Sequence, residues 1–231
     1  MPSQRPNIVA QSSKLVRKED AVVVLLDHQT GLFSLVRDFG PEEFKNNVLA
    51  LAACASHFGL PTILTSIMDY GPNGPLLPEL KTMFPEAPRV RRAGEINAWD
   101  NAEFLQAVKA TGRRQVILAG IVTDVSVAMS ALTAVERGFA VFVVADACGT
   151  FNTTVRDAAQ RRMAAAGVQL INWFALACEL HRDWRNGIEG LATLFARHVP
   201  DYANLISSQT ACKAMRTGER AAGFAVIPAL P

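Results

Sequence analysis

The stretch that most constrains the fold is residues 114–137, where an apolar strand pattern passes directly into a helical one. Residues 114–121 are rich in Val, Ile and Leu, which is typical of a strand covered on both faces. Residues 124–137 then predict a helix that ends at Gly138. Parallel sheets place their ligand crevice at the carboxyl ends of the strands, where a helix amino terminus supplies free N–H groups. Ser126, in the first turn of the predicted helix, is therefore a candidate nucleophile.

The rest of the chain repeats this alternation. Short turns marked by Gly or Pro separate the strand and helix patterns. The predicted strands are residues 21–27, 61–68, 88–92, 114–121, 139–146 and 168–171, and the predicted helices include 41–58, 103–110, 124–137, 153–166, 175–183 and 187–198. The alternation predicts an α/β fold of three layers, with a doubly wound, mostly parallel six-stranded sheet and helices on both faces.

Length and composition indicate one large domain. The chain has 231 residues, of which 50% are hydrophobic and 19% charged, enough for a well-filled core. We expect an N-terminal arm at residues 1–18 and the folded domain at residues 19–199. Residues 200–231 are rich in Ala, Gly and Pro, and we expect this tail to be an oligomer contact or mobile.

Charge and cysteine content exclude several classes of partner. The 23 basic and 21 acidic residues are scattered and give a net charge of +2, so no nucleic-acid partner is expected. The four cysteines lack CxxC spacing, no apolar leader is visible, and no apolar run is long enough to cross a bilayer. We therefore expect a cytoplasmic protein without a membrane partner, whose partners are a small-molecule substrate and copies of itself.

Several common motifs are absent. No GxGxxG follows the first strand, and the sequence contains neither GxxxxGK[ST] nor GxSxG around Ser126. Dinucleotide binding, P-loop hydrolysis and the esterase nucleophile elbow are thereby disfavoured. The four histidines are not at metal-ligand spacing with carboxylates, so neither a metal nor another cofactor is expected.

Asp27, Arg92 and Ser126 remain as a candidate catalytic group at three strand ends. A carboxylate can take a proton from a nucleophile while a cation keeps that carboxylate ionised. Plainer interpretations exist, since Asp27 could start an Asx turn and a lone Arg such as Arg92 is more often solvated on the surface. A serine also needs a strong base, whereas a thiol ionises near pH 8.5 and can be activated by a carboxylate and a cation alone.

Three motifs in the right order resemble those of the isochorismatase-like cysteine hydrolase family, which includes nicotinamidases and carbamoylsarcosine amidase. Residues 25–31 resemble its Leu-Leu-Asp-x-Gln-x-Gly motif, and residues 120–126 resemble its Gly-[Val/Ile]-x-Thr-[Asp/Glu]-x-Cys nucleophile turn. Arg92 stands where the family has a Lys. The resemblance spans about residues 15–205 and is strongest to a branch of uncharacterised bacterial hydrolases that form homo-octamers.

The resemblance implies roles for individual residues. Asp27 would be the general base, Arg92 the cation, and position 126 the nucleophile. A cis peptide between Ile121 and Val122 would direct the N–H groups of Val122 and Ser126 at an oxyanion.

The resemblance further implies that a homo-octamer forms and that Gln29, Asn97 and Trp99 line the substrate pocket. Metal-bearing members of the family carry Asp-x-His after the second strand. Residues 69–71 read Asp-Tyr-Gly here, so the resemblance implies no metal.

Ser126 departs from the family's cysteine, and three explanations stay open: a Cys→Ser change made to trap a complex, a natural variant with a hydroxyl nucleophile, or a relic in a chain that only binds. Three functions follow. The first is hydrolysis of a small amide or related acyl compound, the second is non-catalytic binding or assembly, and the third is vinyl-ether hydrolysis using Asp27 without a nucleophile.

Overall fold

A computed structural model of the protein describes residues 15–217. Six strands form one sheet: Ala21–Leu26 (β1), Thr62–Ile67 (β2), Arg89–Arg92 (β3), Gln115–Gly120 (β4), Ala140–Val144 (β5) and Gln169–Ile171 (β6). Eight α-helices accompany them: Pro41–His57 (α1), Pro78–Met83 (α2), Ala102–Ala110 (α3), Ala128–Glu136 (α4), Thr153–Ala165 (α5), Trp173–His181 (α6), Glu189–His198 (α7) and Pro200–Thr217 (α8).

The sheet is parallel throughout, in the order β3-β2-β1-β4-β5-β6. Every residue of β1 and β4 is buried, as expected for central strands covered on both faces. The surrounding helices fall into two groups, because α1 contacts α2 and α6 while α4 contacts α5. The predicted three-layer α/β fold with a six-stranded sheet is confirmed.

The register of the central strands locates the functional end of the sheet. Leu26, the last residue of β1, pairs with Thr65 of β2 and with Gly120 of β4. The residue after Leu26 therefore lies between the carboxyl ends of two neighbouring strands. This is the position at which open parallel sheets bind their ligands.

The structure differs from the sequence prediction after β4. The sequence predicted one helix over residues 124–137, but a π-helical turn at Thr123–Val127 precedes α4. The carbonyl of Val122 accepts the N–H of Val127, five residues later, at 3.3 Å. The candidate nucleophile, Ser126, consequently lies in a wide turn and not in the first turn of an α-helix.

The chain divides into two compact units, one up to Asp183 and one from Trp184 onward. This division places α7 in the second unit, whereas the sequence predicted a single domain over residues 19–199. In the second unit α7 packs on α8, and the rings of Phe195 and Tyr202 meet edge to face at 5.1 Å. Residues 200–217 of the predicted tail are helical; residues 218–231 lie outside the described residues.

The predicted N-terminal arm is described only from Leu15. The backbone N–H of Val16 donates to Glu179 Oε2 at 2.8 Å, and that of Arg17 donates to Gln115 Oε1 at 2.8 Å. Residues 1–14 lie outside the described residues. Within residues 15–217, no helix combines the length and the hydropathy that a membrane span requires.

The β1–β4 register predicts that Gly120→Ala is strongly destabilising. A Cβ at residue 120 would lie 2.3 Å from the carbonyl oxygen of Leu26 and 2.8 Å from its Cβ, so the two strands would have to separate. We expect the free energy of unfolding in urea to fall by about 1–3 kcal/mol.

Gly94→Ala is the matched control. An added Cβ at Gly94 meets no heavy atom within 4 Å, and its φ lies outside the left-handed region. We expect a change below about 0.5 kcal/mol for this variant. Equal effects of the two substitutions would contradict the close approach of β1 and β4.

Candidate active site

The structure brings the three predicted catalytic residues together at the carboxyl edge of the sheet. Asp27 directly follows β1, Arg92 ends β3, and Ser126 lies in the turn after β4. All three are buried, with exposed fractions of 0%, 2% and 7%. Nη2 of Arg92 donates a hydrogen bond to Oδ1 of Asp27, and the Ser126 hydroxyl interacts with the same carboxyl group.

Arg92 is held inside the protein and not on its surface. The exposure of β3 alternates along the strand, which places Arg92 on the same inner face as Val90 and leaves Arg89 and Arg91 outside. Burial statistics favour a surface position for such an arginine, but Arg92 is buried. Its side chain has no exposed area and forms an ion pair with Asp27, which is equally buried.

Three further acceptors fix the Arg92 guanidinium. Nε donates to Thr65 Oγ1 at 3.0 Å. Nη1 donates to two backbone carbonyls, that of Ile96 at 3.1 Å and that of Glu95. With the bond to Asp27, every nitrogen of the guanidinium has an acceptor, as a buried cation requires.

Burial raises the pKa of Asp27 to about 6, while the charge and hydrogen bond of Arg92 and a contact with the Ser126 hydroxyl act in the opposite direction. Oδ1 is bonded to Arg92, whereas Oδ2 has no hydrogen-bond partner within residues 15–217. The Ser126 hydroxyl approaches the same carboxyl group and favours its charged form. Asp27 thus combines a raised pKa of about 6 with one unbonded oxygen and a contact to Ser126.

The backbone at Asp27 is fixed in an uncommon conformation. Its φ is +58°, in the left-handed region that a residue with a side chain seldom adopts. The N–H of Asp27 donates to Thr65 O at 2.9 Å, and its carbonyl accepts from Gln29 N at 2.7 Å. Both bonds help to keep the carboxylate at the centre of the sheet edge.

The turn that carries Ser126 is anchored by a later segment of the chain. The Ile121–Val122 peptide bond is cis, as the resemblance implied. Thr123 N donates to Gly149 O at 3.0 Å, and Gly149 N donates to Gly120 O at 3.1 Å. No oxygen within residues 15–217 accepts a hydrogen bond from Val122 N, so this donor is free to bind a ligand.

Gln29 supports a loop with its side-chain amide. Its Nε2 donates to the carbonyls of Ile67, at 3.1 Å, and Gly74, and its Oε1 accepts from Ile67 N at 2.9 Å. These bonds tie the end of β2 to the loop that follows it. Gln29 is fully buried, and its contribution to the substrate pocket stays a prediction.

Asn97 and Trp99 are likewise engaged with the protein. Asn97 Oδ1 accepts from Trp99 N at 3.3 Å, and its Nδ2 donates to Thr133 Oγ1 at 3.0 Å. Trp99 Nε1 donates to Ser130 O at 2.8 Å. The two residues connect the loop after β3 to α4, and their place in a substrate pocket also stays a prediction.

Sequence reasoning missed the groups that hold Arg92. Thr65 did leave a signal, since it is a polar residue near the carboxyl end of a buried strand. The carbonyls of Glu95 and Ile96 left none, because every residue has a carbonyl.

His28 lies next to Asp27 but takes no part in this group. Burial lowers the pKa of His28 to about 4, and its Nε2 is 3.0 Å from the carbonyl oxygen of Ala147. The imidazole is therefore neutral and bonded away from Arg92. Across residues 15–217, no cluster of His, Cys, Asp and Glu side chains is arranged to hold a metal ion.

The buried pair predicts a pH-dependent loss of stability in Arg92→Leu. At pH 8 this variant leaves the Asp27 carboxylate without a counter-ion, which we expect to lower the free energy of unfolding by about 3–5 kcal/mol. The pKa of Asp27, already raised to about 6, should rise further, and a raised pKa costs stability as the pH increases. At pH 5 Asp27 is protonated, so urea unfolding should show a smaller loss.

Arg91→Leu is the neighbouring control on the same strand. Arg91 forms an exposed ion pair with Asp69, at 2.9 Å, whose loss should cost less than about 1 kcal/mol. Arg91 and Ser66 lower the pKa of Asp69, so its charge and the effect should not change between pH 5 and 8. An Arg92→Leu loss that is equally small or independent of pH would contradict the buried pair.

Comparison with known proteins shows the family to which the chain belongs. Residues 21–174 match the isochorismatase domain. The chain is 62% identical over 191 residues to the "Probable hydrolase YcaC" of Escherichia coli K12, covering 83% of this chain and 92% of that protein.

Solved structures lead to the same family. YcaC from Pseudomonas aeruginosa with hexane-2,5-diol and covalent acrylamide is 63% identical with a TM-score of 0.84, covering 85% of this chain and 98% of the other. The Escherichia coli ycaC product, an octameric hydrolase of unknown specificity, is 59% identical with a TM-score of 0.83, covering 89% and 98%. The chain is therefore a member of the isochorismatase-like hydrolase family.

Proposed function

We propose that this protein acts on a small amide or related acyl compound, with Asp27 as general base, Arg92 as the cation that holds it, and position 126 as the nucleophile. The observation that carries this proposal is the buried Asp27 carboxyl group, which contacts Ser126 and whose Oδ1 is bonded to Arg92 while Oδ2 stays unbonded. A base needs such a free oxygen within reach of the proton that it removes.

The proposed reaction has two stages. Asp27 Oδ2 takes the proton of the side chain at position 126, and the deprotonated atom attacks the carbonyl carbon of the substrate. The N–H groups of Val122 and Ser126 stabilise the oxyanion. The protonated Asp27 then gives its proton to the departing amine. Water then attacks the acyl carbon while Asp27 takes one of its protons. The bond to residue 126 breaks, the acid product leaves, and Asp27 returns the proton to the side chain at position 126.

The side chain at position 126 determines how fast the proposed reaction can proceed. A thiol with a pKa near 8.5 lies about 2.5 units above the Asp27 pKa of about 6, so moving its proton costs roughly 3 kcal/mol. A serine hydroxyl lies far higher and makes the same transfer much more costly. We therefore propose that the chain as it stands is at most a slow hydrolase, and its serine also favours a second candidate function, non-catalytic binding of the same small molecules.

We further propose that the protein assembles as a homo-octamer. The support is its 59% identity to the octameric Escherichia coli hydrolase over 89% of this chain. Eight copies would present eight of these sites.

Ser126→Cys should create a reactive thiol. Acrylamide is a suitable probe because it is an amide and is covalently bound in the Pseudomonas aeruginosa relative. We expect intact-mass analysis with peptide mapping to show alkylation at residue 126 at least about 100-fold faster than at the buried Cys54. The same variant should hydrolyse members of a panel of small amides.

Ser130→Cys is the matched control. Ser130 is a buried serine of α4, one helical turn beyond Ser126 and engaged with the N–H of Ala98. A thiol there should stay unreactive. If Ser126→Cys is no more reactive than Ser130→Cys and hydrolyses nothing in the panel, the hydrolase proposal fails, and binding of amides by the native chain becomes the function to measure.

The pH dependence of this alkylation should identify the base. In Ser126→Cys the rate should rise as the pH passes through about 6, because Asp27 must lose its proton before it can take one from the thiol. In the double variant with Asp27→Asn, the rise should move to about pH 8.5, the ordinary range of a thiol. Stopped alkylation assays between pH 5 and 9 measure the rates of the single and the double variant. Identical pH–rate profiles of the two variants would exclude Asp27 as the base.

A further inference from the structure

The surroundings of Arg92 match a guanidinium group in detail. Four of its five N–H bonds have acceptors: one at Thr65, two at the carbonyls of Glu95 and Ile96, and one at Asp27. These acceptors come from β2, from the loop after β3 and from the end of β1. They hold the plane of the guanidinium from three sides, and we call them the Arg92 cradle.

A lysine could not use this cradle. The Cε carbon of a lysine occupies the position of Nε in an arginine, so the Thr65 hydroxyl would face a methylene group and lose its donor. The ammonium is a compact point charge, whereas the guanidinium donates in a fixed planar fork. A lysine at residue 92 would keep the charge near Asp27 but lose the bond that sets the rotation of the side chain.

The loop part of the cradle is itself anchored. Glu95 Oε2 accepts the N–H of Gly94 at 3.0 Å, and Glu95 Oε1 accepts from Asn101 Nδ2 at 3.0 Å. The hydrogen bonds from backbone N–H groups and from Asn101 lower the pKa of Glu95 to about 2, so this carboxylate stays ionised. The ionised Glu95 side chain thus closes the loop, and the carbonyls of Glu95 and Ile96 in this loop accept hydrogen bonds from Arg92.

We propose that Thr65 is a positioning residue that makes the cation site of this protein selective for arginine. The Thr65 hydroxyl holds Nε, and this fixes the direction in which Nη2 meets Oδ1 of Asp27. Oδ2 then remains without a hydrogen-bond partner. The catalytic meaning of this arrangement rests on the proposed function, but the coupling between Thr65, Arg92 and Asp27 exists without it.

The test compares Thr65→Val with Thr62→Val in the otherwise unchanged full chain, Ser126 included. Both are buried threonines of β2, but Thr62 bonds Leu60 O, at the opposite end of the strand. The protonation of Asp27 is followed by difference infrared titration of its carboxyl band, assigned by the loss of that band in Asp27→Asn.

We expect Thr65→Val to raise the pKa of Asp27 from about 6 by about half a unit or more, because a loosened guanidinium stabilises the carboxylate less. Thr62→Val should leave this pKa unchanged even if it lowers the melting temperature. Thr65→Ser keeps the acceptor and should restore the native pKa. A Thr65→Val pKa equal to that of Thr62→Val, or a Thr65→Ser pKa equal to that of Thr65→Val, would overturn the proposal.

Arg92→Lys gives a second measurement that does not depend on the folding of Thr65→Val. The cradle predicts a higher Asp27 pKa and a lower melting temperature in Arg92→Lys. An unchanged Asp27 pKa in Arg92→Lys would contradict selectivity for arginine. These titrations use no substrate, so their outcome is separate from that of the amide hydrolysis assays.

Discussion

The buried ion pair between Asp27 and Arg92 is the interaction on which the site depends. Taking two charges out of water costs several kcal/mol per ion, and only close pairing with full hydrogen bonding offsets that cost. Arg92 meets this requirement with acceptors from three elements, whereas Asp27 meets it with one oxygen only. The remaining oxygen is unbonded, and the carboxyl group contacts Ser126. An unbonded oxygen on a carboxyl group of raised pKa is what supports the proposed role of Asp27 as a base.

The sheet explains how residues 65 positions apart in sequence reach each other. A parallel sheet delivers the ends of β1, β2, β3 and β4 to one edge, and the register sets Asp27 between its neighbours. The turn at position 126 is shaped from outside its own sequence, by backbone bonds with Gly149. The site is thus assembled from strand ends and held by loops, and its geometry follows from the topology more than from any single motif.

The sequence predicted the fold and the grouping of Asp27, Arg92 and Ser126 at the strand ends. It did not predict the groups that hold these residues in place. Unbroken β-branched runs between Gly or Pro turns predicted the sheet, since few other structures bury such segments on both faces. Composition did not predict the burial of Arg92. The alternation of side chains between the two faces of a short strand could have suggested it, because Arg92 shares a face with Val90. The π-helical turn and helix α8 were also missed, because the first depends on distant hydrogen bonds and the second lacks a strong apolar period.

The serine at position 126 sets the central question, because the proposed proton transfer to Asp27 is much more costly from a hydroxyl than from a thiol. The most direct measurement is a crystal structure of the Ser126→Cys variant after reaction with acrylamide. We predict a covalent bond from the sulfur of residue 126, with Asp27 Oδ2 facing that sulfur and the amide oxygen of the probe within hydrogen-bond distance of Val122 N. An unmodified residue 126, with acrylamide on another cysteine or absent, would contradict it.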